Sequence, residues 1–437
     1  MTDVVDGPTN EVTGQDLRAA RREKGVSLGR LAAQIGRDKG HLSRVERGVD
    51  DREITPGLVR DYQRALGMIV AATFSSGGTD GTGATMNYAP FEPANELSEG
   101  ERSQASALAE EAAGRAASFA AWAETTNVGP MNLQRFETET RRLARNYLLQ
   151  SPLPIFRQTA NLTRTAFDLI QSGHQHLSQT TELYVAAGRL SALLSWISGD
   201  LGQPVAAAEH ARTAWICADQ ADHPTLRAWA MSVASKAAFW DGDYVSAAES
   251  ARAGQQYVAT GTVLVMLACQ EADALKTLGN IREAEAAVSR AKAIRDRVNI
   301  SDEIGGLFSC GPARQANYEI GVHLAAGRPQ AAITAADDAD HAYTSGDQWA
   351  YGTWAQIRLG AALAFIMRND LDAARENLEP VLAMPPDKRL DTLARRANEV
   401  VRQLTVPKLK GSSEARELVG RIDDYCNSRR RVREIAQ

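Results

Sequence analysis

The chain has 437 residues, of which 44% are hydrophobic, and it carries a formal net charge of −5. This length exceeds one ordinary domain, so we expect more than one folded unit. Since it holds no apolar run near the roughly 18 residues that a membrane span needs, we exclude a membrane-spanning protein. Residues 1–13 are acidic and polar, unlike a signal peptide, and we expect a disordered arm on a cytoplasmic protein.

The cysteines and histidines predict neither disulfides nor a metal site. The four cysteines include no CxxC pair, as in a reduced cytoplasmic protein, and we expect small core residues at Cys217, Cys269, Cys310 and Cys426. His174 and His176 would point to different faces of a helix. The chain also has no glycine-rich phosphate loop and no nucleophile elbow. We therefore expect no enzyme, no metal and no cofactor.

Residues 14–67 predict a compact five-helix module, whose second helix begins after Ser27. A serine at this position can cap the first amide groups of a helix. Apolar residues then recur at helical spacing, which predicts that one face is buried. These residues are Leu28, Leu31 and Ile35.

A tight turn and a third, basic helix follow in the same module. Gly36 can adopt the positive φ of such a turn, Asp38 can cap the next helix and Gly48 can end it. Leu42 and Val45 would point inward. The outward residues are then Lys39, Gly40, His41, Ser43, Arg44 and Arg47, a polar, basic surface that suits a phosphate-lined groove.

This combination resembles the XRE (Cro/CI-type) helix-turn-helix of bacterial and phage repressors. The matching positions are Leu17, Arg21, Gly25, Ser27, Leu31, Ala32, Gly36, Leu66, Gly67 and the run from Ser43 to Gly48. The resemblance implies that Arg21 and Glu46 form a structural pair. Two features depart from the family: Leu28 replaces a frequent glutamine, and residues 49–54 form a longer, more acidic loop. We expect this loop to face away from DNA or to pack against the partner subunit.

The same resemblance implies which residues contact DNA. Lys39, Gly40, His41 and Arg44 match base-reading positions, and a lysine or arginine bonded to guanine contributes roughly 1–3 kcal/mol of discrimination. Phosphate contacts fix register without reading sequence. The predicted DNA-binding set is Ser27, Arg30, Lys39, Gly40, His41, Ser43, Arg44 and Arg47. Residues 14–67 hold 12 Lys and Arg against 8 Asp and Glu, whereas the remainder of the chain is acidic.

Composition divides the rest of the chain into further segments. Gly, Ser and Thr dominate residues 75–84, so we expect a flexible linker at 68–97. Residues 98–177 predict a helical region, 178–400 helical repeats and 401–437 a C-terminal helical cap. We thus expect an all-α fold: a small helix-turn-helix DNA-binding domain joined by the linker to a helical-repeat solenoid.

Five segments share a turn residue followed five positions later by alanine. The turn residue ends one helix, and the alanine allows the next helix to pack closely. The pairs are Gly202 and Ala207, Gly242 and Ala247, Gly279 and Ala284, Gly327 and Ala332, and Asn369 and Ala374. The pattern resembles the tetratricopeptide (TPR) repeat with lengthened helices. Residues 298–312 fall in the widest gap, as an inserted loop or short lid.

In a TPR stack the first helix of each pair lines the concave side. Counting back from each turn gives Arg189, Trp196, Trp229, Ser232, Lys236, Trp240, Cys269, Asp273, Lys276, Arg314, Asn317 and Gln356. The candidate ligand-binding residues among them are Arg189, Trp196, Trp229, Lys236, Trp240, Asp273, Lys276, Arg314 and Asn317. This mixed lining suits a peptide, but the tryptophans are equally compatible with ordinary core between repeats. Apolar residues of the fifth repeat are expected to be buried or at a dimer interface.

The two parts together resemble peptide-sensing quorum regulators of Gram-positive bacteria and an actinobacterial class of XRE/TPR regulators. The resemblance implies a homodimer that binds a two-fold DNA operator and responds to a peptide, small-molecule or protein effector in the repeat domain. A second hypothesis is a TPR interaction protein that acts mainly on a partner protein, with DNA binding secondary.

Overall fold

The computed structural model describes residues 13–24, 26–49, 54, 56–66 and 99–435. Regular structure in these residues is helical, which confirms the all-α prediction. The chain divides into two compact units, Met1–Ser98 and Glu99–Gln437. The predicted arm before Thr13 and the predicted linker at 68–97 lie outside the described residues.

The described part of the first unit contains four helices. They are α1 (Gly14–Glu23), α2 (Leu28–Gln34), α3 (Lys39–Val45) and α4 (Pro56–Leu66). A fifth helix is not among the described residues, and most of the acidic loop, at 50–53, lies outside them as well. The four helices share a small core in which Leu31, Leu42 and Tyr62 are fully buried.

Helices α2 and α3 have the predicted caps and turn. Ser27 Oγ accepts a hydrogen bond from the Arg30 amide at 3.3 Å, and Asp38 Oδ1 accepts one from the His41 amide at 2.8 Å. Gly36, between the helices, has φ +65°, a left-handed conformation that a residue with a Cβ adopts at a cost. Gly48 follows α3 with φ +73°. The angle between α2 and α3 is therefore fixed by local backbone requirements.

A buried ion pair joins α1 to the end of α3. Arg21 Nε and Nη2 donate to the two carboxylate oxygens of Glu46 at 2.6 Å each, and Arg21 Nη1 donates to the Val26 carbonyl at 2.9 Å. Tyr62 of α4 donates its hydroxyl to Glu46 Oε1 at 3.1 Å. The hydrogen bond from Glu46 raises the pKa of Arg21. Three helices thus meet at one carboxylate, as predicted for Arg21 and Glu46.

The substitution Glu46→Ala should destabilise the first unit by about 3–5 kcal/mol, because it leaves the Arg21 guanidinium buried without a counter-ion. Tyr62→Phe, which removes one hydrogen bond, should cost only about 1 kcal/mol. Hydrogen–deuterium exchange of the full chain measures both effects separately in α1–α4 and in the second unit. Equal protection of α1–α4 in Glu46→Ala and wild type would show that the pair contributes nothing.

The second unit is a series of helices. They are α5 (Glu99–Ala123), α6 (Pro130–Tyr147), α7 (Pro152–Ser172), α8 (Leu177–Asp200), α9 (Pro204–Gln220), α10 (Pro224–Asp241), α11 (Tyr244–Gly254), α12 (Val263–Thr277), α13 (Ile281–Arg295), α14 (Pro312–Ala325), α15 (Pro329–Thr344), α16 (Tyr351–Met367), α17 (Leu371–Leu382), α18 (Asp391–Leu404) and α19 (Ser413–Ile435). From α8 onward they pack in consecutive pairs, α8 with α9 through α18 with α19.

The five predicted turns each separate the two helices of a pair. All five turn residues have positive φ, including the non-glycine Asn369 at φ +64°. The five alanines that follow them are fully buried. In the first two pairs a serine of the first helix also bonds to this alanine: Ser195 and Ser235 donate to the carbonyls of Ala207 and Ala247, both at 2.8 Å. The turn-and-alanine prediction is confirmed.

The last pair closes the series on its first members through α18. Thr392 Oγ1 donates to Asp200 of α8 at 3.1 Å, and Arg395 Nη1 donates to the Trp240 carbonyl of α10 at 2.6 Å. Arg396 Nη2 lies 3.3 Å from the carboxylate of Asp273 in α12. Helix α18 therefore crosses the side on which the first helices of the pairs meet, and this side is not an open groove.

The segment at residues 298–312 packs inward. Leu307 donates its amide to the Ala144 carbonyl of α6 at 3.0 Å, and the ring of Phe308 lies edge-on to Trp229 with centroids 5.5 Å apart. Asp302 accepts hydrogen bonds from the amide and hydroxyl of Thr262. Of the two interpretations offered for this segment, an inserted loop anchored in the core agrees with these contacts.

Helix α5 differs from the others because every described side chain from Ser103 to Ala123 is exposed. Its large apolar side chains include Leu108, Phe119 and Trp122, each more than half exposed. In the fifth repeat, Leu359 and Ile366 are buried, as expected from their apolar pattern. Leu363 is half-buried, and Met367 is exposed, so burial holds for only part of this predicted set. Across the described residues, none of the helices combines the length and the apolar character that crossing a bilayer demands.

Candidate functional site

The outer face of α3 is the first candidate site. Lys39, Gly40, Arg44 and Arg47 are exposed, and His41 and Ser43 are half-buried. Arg47 Nε donates to the Ser43 carbonyl at 3.0 Å, which directs this side chain back along the helix. Two more predicted residues, Ser27 and Arg30, are exposed at the start of α2. All eight predicted DNA-binding residues thus lie on α2, on α3 or directly beside them.

A partly enclosed cavity in the second unit is the second candidate site. Its empty volume is about 780 Å³, open mouth included. The first helices of all five repeat pairs contribute to its lining, together with the end of α6, the loop before α14 and helix α18. The lining residues are Tyr147, Leu148, Trp196, Asp200, Ser235, Lys236, Phe239, Trp240, Gln270, Asp273, Leu307, Arg314, Asn317, Tyr318, Ala350, Tyr351, Gly352, Thr353, Gln356, Leu390 and Arg396.

One end of the cavity is built around the buried carboxylate of Asp200. Lys236 Nζ lies 2.8 Å from its Oδ1, and the hydroxyls of Tyr147 and Thr392 also donate to it. Burial favours the neutral amine and lowers the pKa of Lys236 to about 8, although Asp200 opposes this shift. Burial, reinforced by Asp200, also raises the pKa of Tyr147. Three protein donors thus bind this carboxylate, and one of them is a cation.

A second buried carboxylate, Asp273, lies on α12. Lys276 Nζ lies 2.9 Å from it and Arg396 Nη2 lies 3.3 Å from it. Burial alone would raise the pKa of Asp273, but Lys276 and Arg396 outweigh burial and hold it below its ordinary value. Arg396 also pairs with Glu399 at 3.2 Å. This acid is likewise compensated by cations of the protein.

Arg314 also lines the cavity, but in the described part of the protein it has no carboxylate partner. Its Nη1 donates to the carbonyls of Leu307 and Ser309 at 2.9 and 2.7 Å, and its guanidinium lies 4.5 Å from the centroid of the Trp196 ring. Lys236 Nζ lies 3.9 Å from the same centroid. Within the described residues, Arg314 has no ion pair, and its Nε and Nη2 form no hydrogen bond.

Tyr351, which also lines the cavity, has a buried donor group. The residue is 7% exposed, and its hydroxyl is buried without a hydrogen-bond partner among the described residues. A buried polar group left in this state costs about 1–3 kcal/mol. Burial raises the pKa of Tyr351, so its hydroxyl stays protonated. The group is therefore a donor that lacks an acceptor.

Six of the nine candidate ligand-binding residues line this cavity. They are Trp196, Lys236, Trp240, Asp273, Arg314 and Asn317, and Gln356 joins them by accepting a hydrogen bond from Asn317 at 3.0 Å. The other three lie elsewhere: Lys276 behind Asp273, Trp229 packed on Phe308, and Arg189 paired with Glu303. For Trp229 the alternative interpretation as core agrees with its burial.

The repeat pattern did not predict the cavity residues that lie outside the first helices of the five repeats. Tyr147 lies at the end of α6 and Arg396 on α18, and neither belongs to the first helix of the five repeats. Asp200 could have been found, because it stands two positions before Gly202 just as Trp240 stands two positions before Gly242. Tyr351 carried no signal in the repeat pattern.

Comparison with models of known protein families gives no match, and no curated protein matches the chain significantly. Among the described residues, no group of three or more His, Cys, Asp or Glu side chains is placed to hold a metal ion.

The substitution Lys236→Met should destabilise the second unit by about 3–5 kcal/mol, because it removes the cation from the buried Asp200 carboxylate. The double substitution Lys236→Met with Asp200→Asn should recover part of this loss, since the neutral amide needs no counter-ion. Its single oxygen can still accept from one of the two hydroxyls, Tyr147 or Thr392, which bind separate oxygens of the carboxylate. Urea unfolding of the full chain followed by circular dichroism measures the coupling. Additive losses in the double variant would contradict a coupled pair.

Proposed function

We propose that the protein is a sequence-specific DNA-binding transcription regulator and not an enzyme. The main support comes from the outer face of α3, which carries Lys39, His41, Arg44 and Arg47. The inner face of this helix is held in the core of the first unit. A helix of this kind is the element that helix-turn-helix proteins insert in the major groove. The XRE resemblance of residues 14–67 supports the same assignment.

The geometry of α3 suits base reading because its inner and outer faces have separate roles. Leu42 and Val45 are buried in the unit's core, while Glu46 binds Arg21 and Tyr62. None of these contacts uses an outward side chain. In this proposal Lys39 and Arg44 donate to guanine, and Ser27 and Arg30 donate to phosphates.

Replacing Arg44 by Ala should abolish most of the preference for a selected operator while weak general DNA binding persists. A good arginine–guanine pair contributes about 1–3 kcal/mol, so we expect roughly a five- to 150-fold loss of discrimination per half-site. The operator is first selected from random duplexes with the full chain. Titration of operator and scrambled duplexes at one fixed salt concentration then measures the loss.

Lys24→Ala provides the matched control for this experiment. It removes one positive charge from the same unit, at an exposed position after α1 that is not in the predicted DNA-binding set. We expect it to weaken operator and scrambled duplexes equally and slightly. Equal loss of discrimination in both variants, or no selection of any duplex by the wild type, would overturn the proposal.

We further propose a cytoplasmic homodimer whose helical body binds an effector. One small module makes too few DNA contacts for specificity, and two modules about 34 Å apart would read successive half-sites. The cavity between the repeat helices supports an effector site, since it combines aromatic walls with a few converging polar groups. In this proposal the repeats form a TPR-like solenoid that is closed by α18.

Helix α5 supports the dimer. Leu108, Phe119 and Trp122 are spaced by 11 and 3 residues and lie on one side of the helix, because 3.6 residues make a turn. All three are exposed within the described chain. A second copy of this helix is the occupant we propose for this side.

Leu108→Glu should shift the full chain from dimer to monomer in sedimentation velocity at micromolar concentration, because the new carboxylates would face each other in an apolar interface. Leu177→Glu is the matched control, since Leu177 is also exposed, at 89%, but lies on α8. A monomeric wild type, or the same shift in both variants, would exclude the α5 dimer.

The exposed side of α5 equally favours a second function, an interaction protein that presents this helix to a partner protein. The two proposals differ in what purified protein does alone. A regulator selects a duplex without a partner, whereas an interaction protein captures its partner through residues 99–437 and shows no duplex preference.

A further inference from the structure

We propose that the cavity in the second unit binds a small planar organic acid, with its carboxylate held by Arg314 and its ring among the aromatic side chains. The inference deepens the proposed function, because this acid would be the effector of the regulator. It stands on three observations: the charge balance of the cavity, two donors without acceptors, and the shape and character of the walls.

The charge balance favours a ligand with one negative charge. The lining contains three cations, on Lys236, Arg314 and Arg396, and two carboxylates, on Asp200 and Asp273. Both carboxylates are already paired with protein cations. One positive charge is left over, and Arg314 carries it.

Two residues that line the cavity have donor groups without an acceptor in the described part of the protein. Arg314 has Nε and Nη2 groups that bond to nothing within the described residues, and the Tyr351 hydroxyl is buried without a partner. A carboxylate is an acceptor-only group with two oxygens, and it binds guanidinium groups with favourable geometry. A cationic ligand would leave both donors unsatisfied and would meet no available carboxylate.

The walls of the cavity favour a ligand in which the carboxylate is attached to a flat, apolar ring. Phe239, Trp240, Tyr318 and Tyr351 bring aromatic rings from three helices to the same cavity. The guanidinium carbon of Arg396 lies 5.6 Å from the centroid of the Trp240 ring. Its charge is paired with Asp273, so this wall is aromatic and carries no unpaired charge. A mainly aromatic wall of this kind suits a flat apolar group.

A free amino acid or a doubly charged phosphate matches the cavity less well. The ammonium of an amino acid would need an unpaired carboxylate, and the lining offers none. A dianion exceeds the single positive charge that is left over. The C-terminus of a peptide shares the carboxylate chemistry, and we treat it as a competing outcome because α18 crosses the side along which a longer chain would lie.

The test measures binding of three aromatic acids, benzoate, 2-naphthoate and indole-3-acetate, to the full chain by calorimetry. We expect at least one of them to bind, and its neutral amide to bind at least about tenfold more weakly, because the amide lacks the charge that Arg314 requires. Binding of no acid at millimolar concentration, or equal binding of acid and amide, would overturn the inference. Tighter binding of acetyl-Gly-Phe than of every acid would overturn it in favour of a peptide.

Two variants locate the site. Arg314→Gln should weaken binding of the best acid about ten- to hundredfold. Tyr351→Phe should also weaken it by several-fold while the unfolding temperature is unchanged or higher, because the hydroxyl has no partner in the unliganded fold. Should Arg314→Gln fail to fold, Tyr351→Phe alone decides.

Tyr343→Phe is the matched control, because Tyr343 also has a buried hydroxyl without a partner but does not line the cavity. It should affect stability as Tyr351→Phe does and leave acid binding unchanged. Equal weakening by both variants would exclude the assigned site. Binding of the acid is measured without DNA, so the two proposals can fail separately. If the protein selects a duplex but binds no acid, only this inference is disproved. If it binds an acid but selects no duplex, only the proposed function as a DNA-binding regulator is disproved.

Discussion

The second unit depends on one buried carboxylate that four helices share. Asp200 of α8 accepts hydrogen bonds from Tyr147 of α6, Lys236 of α10 and Thr392 of α18. Removing an ion from water is expensive, and a buried pair is stable only when each remaining hydrogen-bonding position is also satisfied. Asp200 meets this condition only when α6 and α18 both lie against the repeat helices. Asp200 therefore joins α6 and α18 to the repeat helices. Together these helices enclose the cavity.

The parts of the fold that could be predicted from sequence are those that local chemistry specifies. Positive φ at Gly202 or Gly327 and a close helix contact at Ala207 are requirements of single positions, and they recur with the repeat. The caps at Ser27 and Asp38 belong to the same class. Such features can be predicted because the residue type at one position determines the backbone geometry within about five residues of it.

The closure by α18 could not be predicted in the same way. Thr392 and Asp200 are 192 residues apart, and Arg396 and Asp273 are 123 residues apart. No periodic pattern relates these positions, since α18 contacts the repeats with its own polar side and not through the repeat register. The sequence therefore indicated which first-helix residues face inward, but the shape of the space that they face is set by long-range polar contacts.

Arg21, which is buried, and Arg314, which is half-buried, show two different uses of a guanidinium group. Arg21 uses three nitrogens, with two on Glu46 and one on the Val26 carbonyl, and its charge is neutralised within the unit. Arg314 uses one nitrogen on two carbonyls and keeps its charge. Backbone carbonyls orient a guanidinium without neutralising it, so the loop before α14 holds Arg314 in place while its attraction for an anion is retained. The same residue type thus joins helices where a carboxylate neutralises it, and it keeps a positive charge where only carbonyls bind it.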